Sequence, residues 1–187
     1  MIKRMKPLLI TMGILSLFCG CKKPNKAEGQ KPPSGSIIID LKDFKIGSTL
    51  LGSPIMQADS FLPLKQSPEH YHLPGQGIFI ATKNELLNSW AIDMDCFGGS
   101  FTYAGSAINI TKDTTEYELT KIFGETYWTY RSDDEVIMFY EYQGGAIELR
   151  YELYEDTLSA ITLSRNAVLS DPEQRKEHGV TKPWPPQ

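Results

Sequence analysis

Four runs of aromatic and β-branched residues in the second half of this chain are joined by turns so short that neighbouring runs can pair only as antiparallel strands. The runs are residues 127–131, 136–142, 146–154 and 158–164. Between them stand Ser132-Asp133-Asp134-Glu135, Gln143-Gly144-Gly145 and Glu155-Asp156, all rich in turn formers. In the third run Ile147, Leu149, Tyr151 and Leu153 alternate with Glu148, Arg150, Glu152 and Tyr154. That period of two sets one face in a core and the other in water. Just upstream, residues 114–123 open on a hydroxyl residue and carry Tyr117, Leu119, Ile122 and Phe123 before Gly124. This spacing predicts a short amphipathic helix stopped by the glycine.

The unit reads as if written twice. Residues 74–95 lie over residues 143–164 without a gap at an offset of 69, so that Ile78 meets Ile147, Ile80 meets Leu149, Ala91 meets Ala160, Ile92 meets Ile161 and Met94 meets Leu163. Upstream the offset is 72, with Ile38 on Ile110, Leu50 on Ile122 and Gly52 on Gly124, but Ile46 falls on Glu118, a mismatch. The first copy is less regular. It offers a strand at 37–41, at most a helical turn at 48–51, an irregular stretch at 56–68, and strands within 71–82 and 89–95. The predicted fold is α+β: an antiparallel β-meander sheet with short helices on one face, in two tandem repeats. The expected division is 37–98 for the first repeat, 99–166 for the second, and 167–187 for a C-terminal tail. Within that tail Pro172 suits the first turn of a short helix, and the Pro-rich end carries Trp184, to dock on the domain or on a partner.

The amino terminus addresses the chain to an envelope. Lys3, Arg4 and Lys6 precede an apolar run over residues 7–18, and Cys19-Gly20-Cys21 follows. That is the order of a secretory signal, and the run is too short for a membrane-crossing helix of roughly 20 residues. The ending resembles a lipobox, the motif of bacterial lipoproteins, with Phe18 standing where the family usually has Leu. The resemblance implies cleavage after residue 20 and a lipid on Cys21. With Lys22 rather than Asp next, it also implies the outer membrane, facing the periplasm. Residues 21–36 would then be the lipidated Cys and a flexible linker, whose Lys, Pro, Gly and Ser cannot form a core.

Residues 37–187 hold 12 Lys and Arg against 22 Asp and Glu. Such acidity disfavours nucleic acid, which needs a basic face, and favours capture of a basic protein. With Cys19 removed and Cys21 lipidated, Cys96 is left without a pairing partner and is expected to be a buried, inert thiol. His70 and His72 share a strand face, but two imidazoles do not complete a metal site. Asp93 and Asp95 share a face without a base beside them. No nucleophile elbow, zinc-protease helix, phosphate loop or dinucleotide fingerprint occurs, so no metal, cofactor or catalytic set is assigned. The expectation is a chain that is not an enzyme.

The helix-to-glycine stretch Tyr117-Glu118-Leu119-Thr120-Lys121-Ile122-Phe123-Gly124, followed by Tyr127-Trp128-Thr129-Tyr130 and a hairpin, resembles the β-lactamase-inhibitor-protein-like fold. Small outer-membrane-assembly lipoproteins and small bacterial inhibitors share it. The resemblance implies a protein that binds other proteins. Lipoproteins of this size also include immunity proteins against toxins delivered by type VI secretion. A lipid-anchored immunity or inhibitor protein is therefore the leading expectation; alternatives are a structural accessory of outer-membrane assembly or tethering, and a periplasmic enzyme of unrecognised type. Seven Tyr and Trp residues fall within 127–154, with acidic turns beside them. Tyr127, Trp128, Tyr130, Asp133 and Asp134 are the candidate partner-binding residues, for a basic toxin or an envelope component.

Overall fold

The computed structural model describes residues 37–57, 64–73, 75–125, 127–142, 145–165 and 172–177. In chain order its strands are β1 (Ile38–Asp40), β2 (Lys45–Ile46), β3 (Thr49–Leu50), β4 (Leu64–Ser67), β5 (His70–Leu73), β6 (Ile78–Lys83) and β7 (Leu86–Asp93). They continue as β8 (Ser100–Tyr103), β9 (Ser106–Ile108), β10 (Trp128–Arg131), β11 (Glu135–Tyr142), β12 (Gly145–Glu152) and β13 (Thr157–Ser164). Helix α1 (Glu116–Phe123) precedes β10, and α2 (Pro172–Glu177) follows β13. The smaller sheet has the order β3-β2-β1-β8-β9 and the larger the order β10-β11-β12-β13-β7-β6-β5-β4. Every pairing in the larger sheet is antiparallel, whereas β1 and β8 run parallel. The architecture is thus mostly antiparallel β, with less helix than an α+β label suggests.

One face of the large sheet makes the main core. Ile78, Ile80, Leu87, Trp90, Ile92, Val136, Met138, Tyr140, Ile147, Leu149, Tyr151, Ile161 and Leu163 bury there against Ile39, Leu41, Phe44 and Ile46 of the N-terminal strands and turns. Helix α1 adds Leu119 and Phe123 to the same core. Its start is a capping box: Thr115 Oγ1 accepts from the Glu118 amide, and the Glu118 carboxylate accepts from the Thr115 amide. The sheet grips both ends of this helix. The Tyr151 hydroxyl donates to the Thr114 carbonyl, and the Tyr140 hydroxyl donates to the Gly124 carbonyl at 3.1 Å. Burial raises the pKa of both phenols, so they stay neutral donors.

The large sheet divides into two runs of four consecutive strands, β4–β7 and β10–β13, which meet through their last strands. Burial follows the same pattern along β6 and along residues 147–152 of β12, an offset of 69. Along β7 and β13 the patterns agree at an offset of 71, differing only at the last residue. The change lies in the turns. Asn84 and Glu85 form a two-residue turn with both φ values positive, while residues 153–156 form a longer one. The gap-free offset of 69 therefore holds for Ile78 with Ile147 and Ile80 with Leu149. It does not hold beyond the turn, where Trp90 corresponds to Ile161 and Ile92 to Leu163. A register irregularity falls at Ala81/Thr82 in one hairpin and at Arg150/Tyr151 in the other, again 69 apart. At offset 71, Ala91 and Thr162 are equivalent residues, and they pair at the centre of the β7–β13 ladder.

Other expectations need correction. Residues 49–50 are strand β3, not a helical turn, and β4 occupies part of the stretch read as irregular. Strands this short leave no periodicity to read. Residues on either side of position 98 share the small sheet, since β1 pairs with β8. Cys96 is disulfide-bonded rather than a lone thiol. The chain's other cysteines, Cys19 and Cys21, lie outside the described residues, as do the linker at 21–36 and the tail beyond 177. No described helix is long and apolar enough to cross a membrane.

Candidate protein-binding surface

Alternation along each strand fixes which side chains leave the main core. On β11 the inward residues are Val136, Met138 and Tyr140, so Ile137, Phe139 and Glu141 point to the opposite, outer face. Register carries that face across the sheet. Trp128 pairs with Phe139, Phe139 with Glu148, Glu148 with Thr162, Thr162 with Ala91, Ala91 with Phe79, and Phe79 with His72. Ile137, Phe139 and Trp128 form a second, smaller hydrophobic cluster there, with the Trp128 and Phe139 rings 5.0 Å apart.

The candidate aromatics divide between the faces. Tyr127 turns inward and packs on Tyr140 at 5.2 Å, which makes it part of the core rather than a binding anchor. Trp128 is half-buried on the outer face, and Tyr130, 45% exposed, lies beside Ile137 on the same side. Thr129 and Arg131 take the inner side, where Arg131 meets Glu116 of α1 at 3.7 Å. Tyr140 and Tyr151 are buried, and Tyr142 receives a hydrogen bond from the Tyr103 hydroxyl at 3.1 Å.

Asp133 and Asp134 are exposed in the β10–β11 turn. The Ser132 hydroxyl shapes that turn by accepting from the amides of Asp134 and Glu135. The Asp134 carbonyl then accepts from the Leu153 amide at 2.9 Å, tying this turn to the β12–β13 turn. One end of the sheet therefore gathers Asp133, Asp134, Glu155 and Asp156 around Leu153, 38% exposed, and Tyr154, 85% exposed. Nearby cations are already paired: Arg150 with Glu135 at 2.8 Å and Lys112 with Asp95 at 3.4 Å. Sequence alternation pointed to Tyr154 only as one of many tyrosines. Its exposure follows from the strand ending at Glu152, which the run of alternating residues conceals.

The remaining titratable groups among the described residues are scattered over the sheets. His70 bonds to Ser67 at 2.8 Å on the sheet's margin, and His72 sits on the outer face with its Nδ1 buried and without a partner among the described residues. No three His, Cys, Asp or Glu side chains converge as metal ligands among the described residues. Asp93 has its pKa raised, by burial first and by Asp95 next to it. Asp40 is lowered, because amides of Asp43, Gly105 and Lys42 and the Thr102 hydroxyl outweigh its burial, and it serves to pin a turn. Compared with known proteins, the chain matches no family model, no curated protein and no solved structure.

Proposed function

We propose that this protein is a non-catalytic lipoprotein, anchored to an envelope membrane through Cys21, that binds a basic protein and blocks it as an immunity or inhibitor protein does. The observation that carries the reading is the acidic end of the large sheet, where Tyr154 and Leu153 stand exposed among Asp133, Asp134, Glu155 and Asp156 with the local cations already engaged. Exposed aromatic anchors inside a charged rim are the composition of a protein interface. Tyr130 on the adjoining edge strand extends it. The two matching four-strand runs support a duplicated unit, and with it the resemblance to the β-lactamase-inhibitor-protein-like fold.

Binding tests the reading. For a partner captured from the envelope, Asp133→Asn with Asp134→Asn should slow association several-fold and remove much of its salt dependence, while dissociation changes little. Tyr154→Ala should instead speed dissociation. Association that ignores salt and both variants overturns the reading.

Anchoring has its own test. A thioether at Cys21 and a disulfide at Cys96 exclude each other once residues 1–20 are removed, because no other cysteine remains. The mature lipoprotein should therefore yield one maleimide-reactive thiol after unfolding, and Cys21→Ala should leave an uncleaved or soluble chain. A Cys21→Ala chain still cleaved and membrane-bound sinks the lipobox reading.

A further inference from the structure

A sheet that does not close on itself ends in strands whose outward backbone groups find no partner in the fold. Among the described residues the two sheets end in β3, β9, β4 and β10. Three of these edges are blunted. Strand β3 is two residues long and β9 three, while the β4 ladder is broken by an irregularity at Lys65/Ser67 and carries the exposed Lys65. Strand β10 has no such protection: its four residues pair with β11 in unbroken register and include no proline. Register also fixes which backbone groups it leaves open. The Ser132 amide donates to the Glu135 carbonyl at 2.9 Å, so residues 132 and 135 are a hydrogen-bonded pair. Alternation then turns the backbone groups of Trp128 and Tyr130 toward β11, and the N–H and C=O of Thr129 and Arg131 away from it. The Leu153 amide on the Asp134 carbonyl gives the same phase from the other side of β11. Strand β10 pairs with β11 alone, and no other hydrogen bond reaches these outward groups among the described residues.

We propose that β10 is a strand-addition site, on which an extended basic segment of the partner protein pairs with Thr129 and Arg131 and prolongs the large sheet. The inference rests on the proposed capture of a basic protein and gives that capture a binding mode. The surroundings of the edge choose the occupant. Asp133 and Asp134 stand exposed where β10 ends, and Glu116 and Glu125 lie beside Tyr127 where it begins. The cation on the strand itself, Arg131, is engaged by Glu116 at 3.7 Å. A second copy of this chain is the poorer fit. Pairing Thr129 of one copy with Arg131 of another, antiparallel, sets residue 133 across from residue 127, and so brings Asp133 toward Glu116 and Glu125 of the other copy. Lysine or arginine on an added strand meets those acids with the opposite sign. On the outer side the added strand runs beside half-buried Trp128 and exposed Tyr130, which favour apolar β-branched residues across from them. Backbone bonds then supply attachment, and the alternation of apolar with basic side chains supplies selection.

Amide hydrogen exchange of the full mature chain, read by NMR, tests the edge directly. The probe is a synthetic peptide in which Val alternates with Lys and Arg, and the control is an equally long peptide of alternating Val and Glu. The basic peptide should slow exchange of the Thr129 and Arg131 amides about tenfold and leave the Leu153 amide, already bonded to Asp134, unchanged. Thr129→Pro removes one edge N–H without taking a bond from the sheet, so it should abolish the effect on Arg131, whereas Thr129→Val should preserve it. Should Thr129→Pro unfold, exchange in the parent decides alone. Unchanged exchange with the basic peptide, or equal protection by the acidic one, overturns the proposal. Protection that grows with protein concentration in the absence of peptide also overturns it, and makes a second copy the occupant. The reading beneath it fails separately. A partner captured with the expected salt dependence that leaves both amides fast sinks strand addition alone. Strand addition by the peptide without any salt-sensitive capture keeps the edge and sinks the immunity reading.

Discussion

The two halves of the large sheet agree on one face and part company on the other. Facing the core, β6 and β12 present Ile78, Ile80 and Thr82 against Ile147, Leu149 and Tyr151, with matched burial. Facing outward, Phe79 stands where the second half has Glu148, and Ala81 where it has Arg150. The shared core must satisfy both halves at once, since β7 and β13 pair at its centre, so a change in one half is felt by the other. The outer positions carry no such joint constraint. There the second half has gathered aromatic rings, acids and an ion pair, while the first has His70, His72 and Phe79. A joint constraint on the core face and separate use of the outer face account for both observations.

The largest expected effect tests the shared core. Ile80→Ala and Leu149→Ala each remove a side chain that is essentially inaccessible, on strands related by the same offset. Each should cost about 2–5 kcal/mol, within reach of the whole stability of a domain this size. Urea unfolding followed by tryptophan fluorescence and by circular dichroism should give one coincident transition in both variants. If one substitution costs almost nothing, or melts only its own half, the two runs of strands are not equivalent parts of one core.

The second half was legible in the sequence because it contrasts strongly. Its four strands and α1 start or stop within a residue or two of where alternation and turn residues placed them, apart from the early end of β12. The first half hid more. Strands β2 and β3 are two residues long, too short for a period of two to show, and the partner of β1 across the sheet, distant β8, leaves no local pattern. The matched burial of Ile80 and Leu149 was visible in the sequence, but the alignment slipped after Lys83, because turn length cannot be read when both turns are polar. At the site, Tyr127, Trp128 and Tyr130 gave no polar–apolar contrast from which to assign faces. The register of β10 on β11 fixes the phase, setting Trp128 beside Phe139 and Tyr130 beside Ile137, and Arg131 reaching Glu116 on α1 agrees with it. The acidic end needed the third dimension, since a backbone bond from Leu153 to Asp134 brings two separate turns together.

The smaller effect sharpens the contrast on the outer face. Glu148 occupies the position of Phe79, between Phe139 and Thr162, and burial raises its pKa, with Arg150 drawing it back in part. A carboxyl whose folded pKa lies above its unfolded value, near about 4.3, is harmless while both states are protonated and destabilising once the folded state must ionise. The stability it permits is full below the unfolded pKa and is lost as pH rises through the folded one. Glu148→Gln keeps the shape and removes the proton. Arg150 does not lose its partner in that variant, because Glu135 holds it at 2.8 Å. The variant should match the parent at pH 4 and exceed it in urea resistance at pH 7.5, by less than the core substitutions cost. A Gln variant weaker than the parent at pH 7.5 would mean that the ionised carboxylate is favoured where it stands, and that the second half's outer face was built around its charge rather than in spite of it.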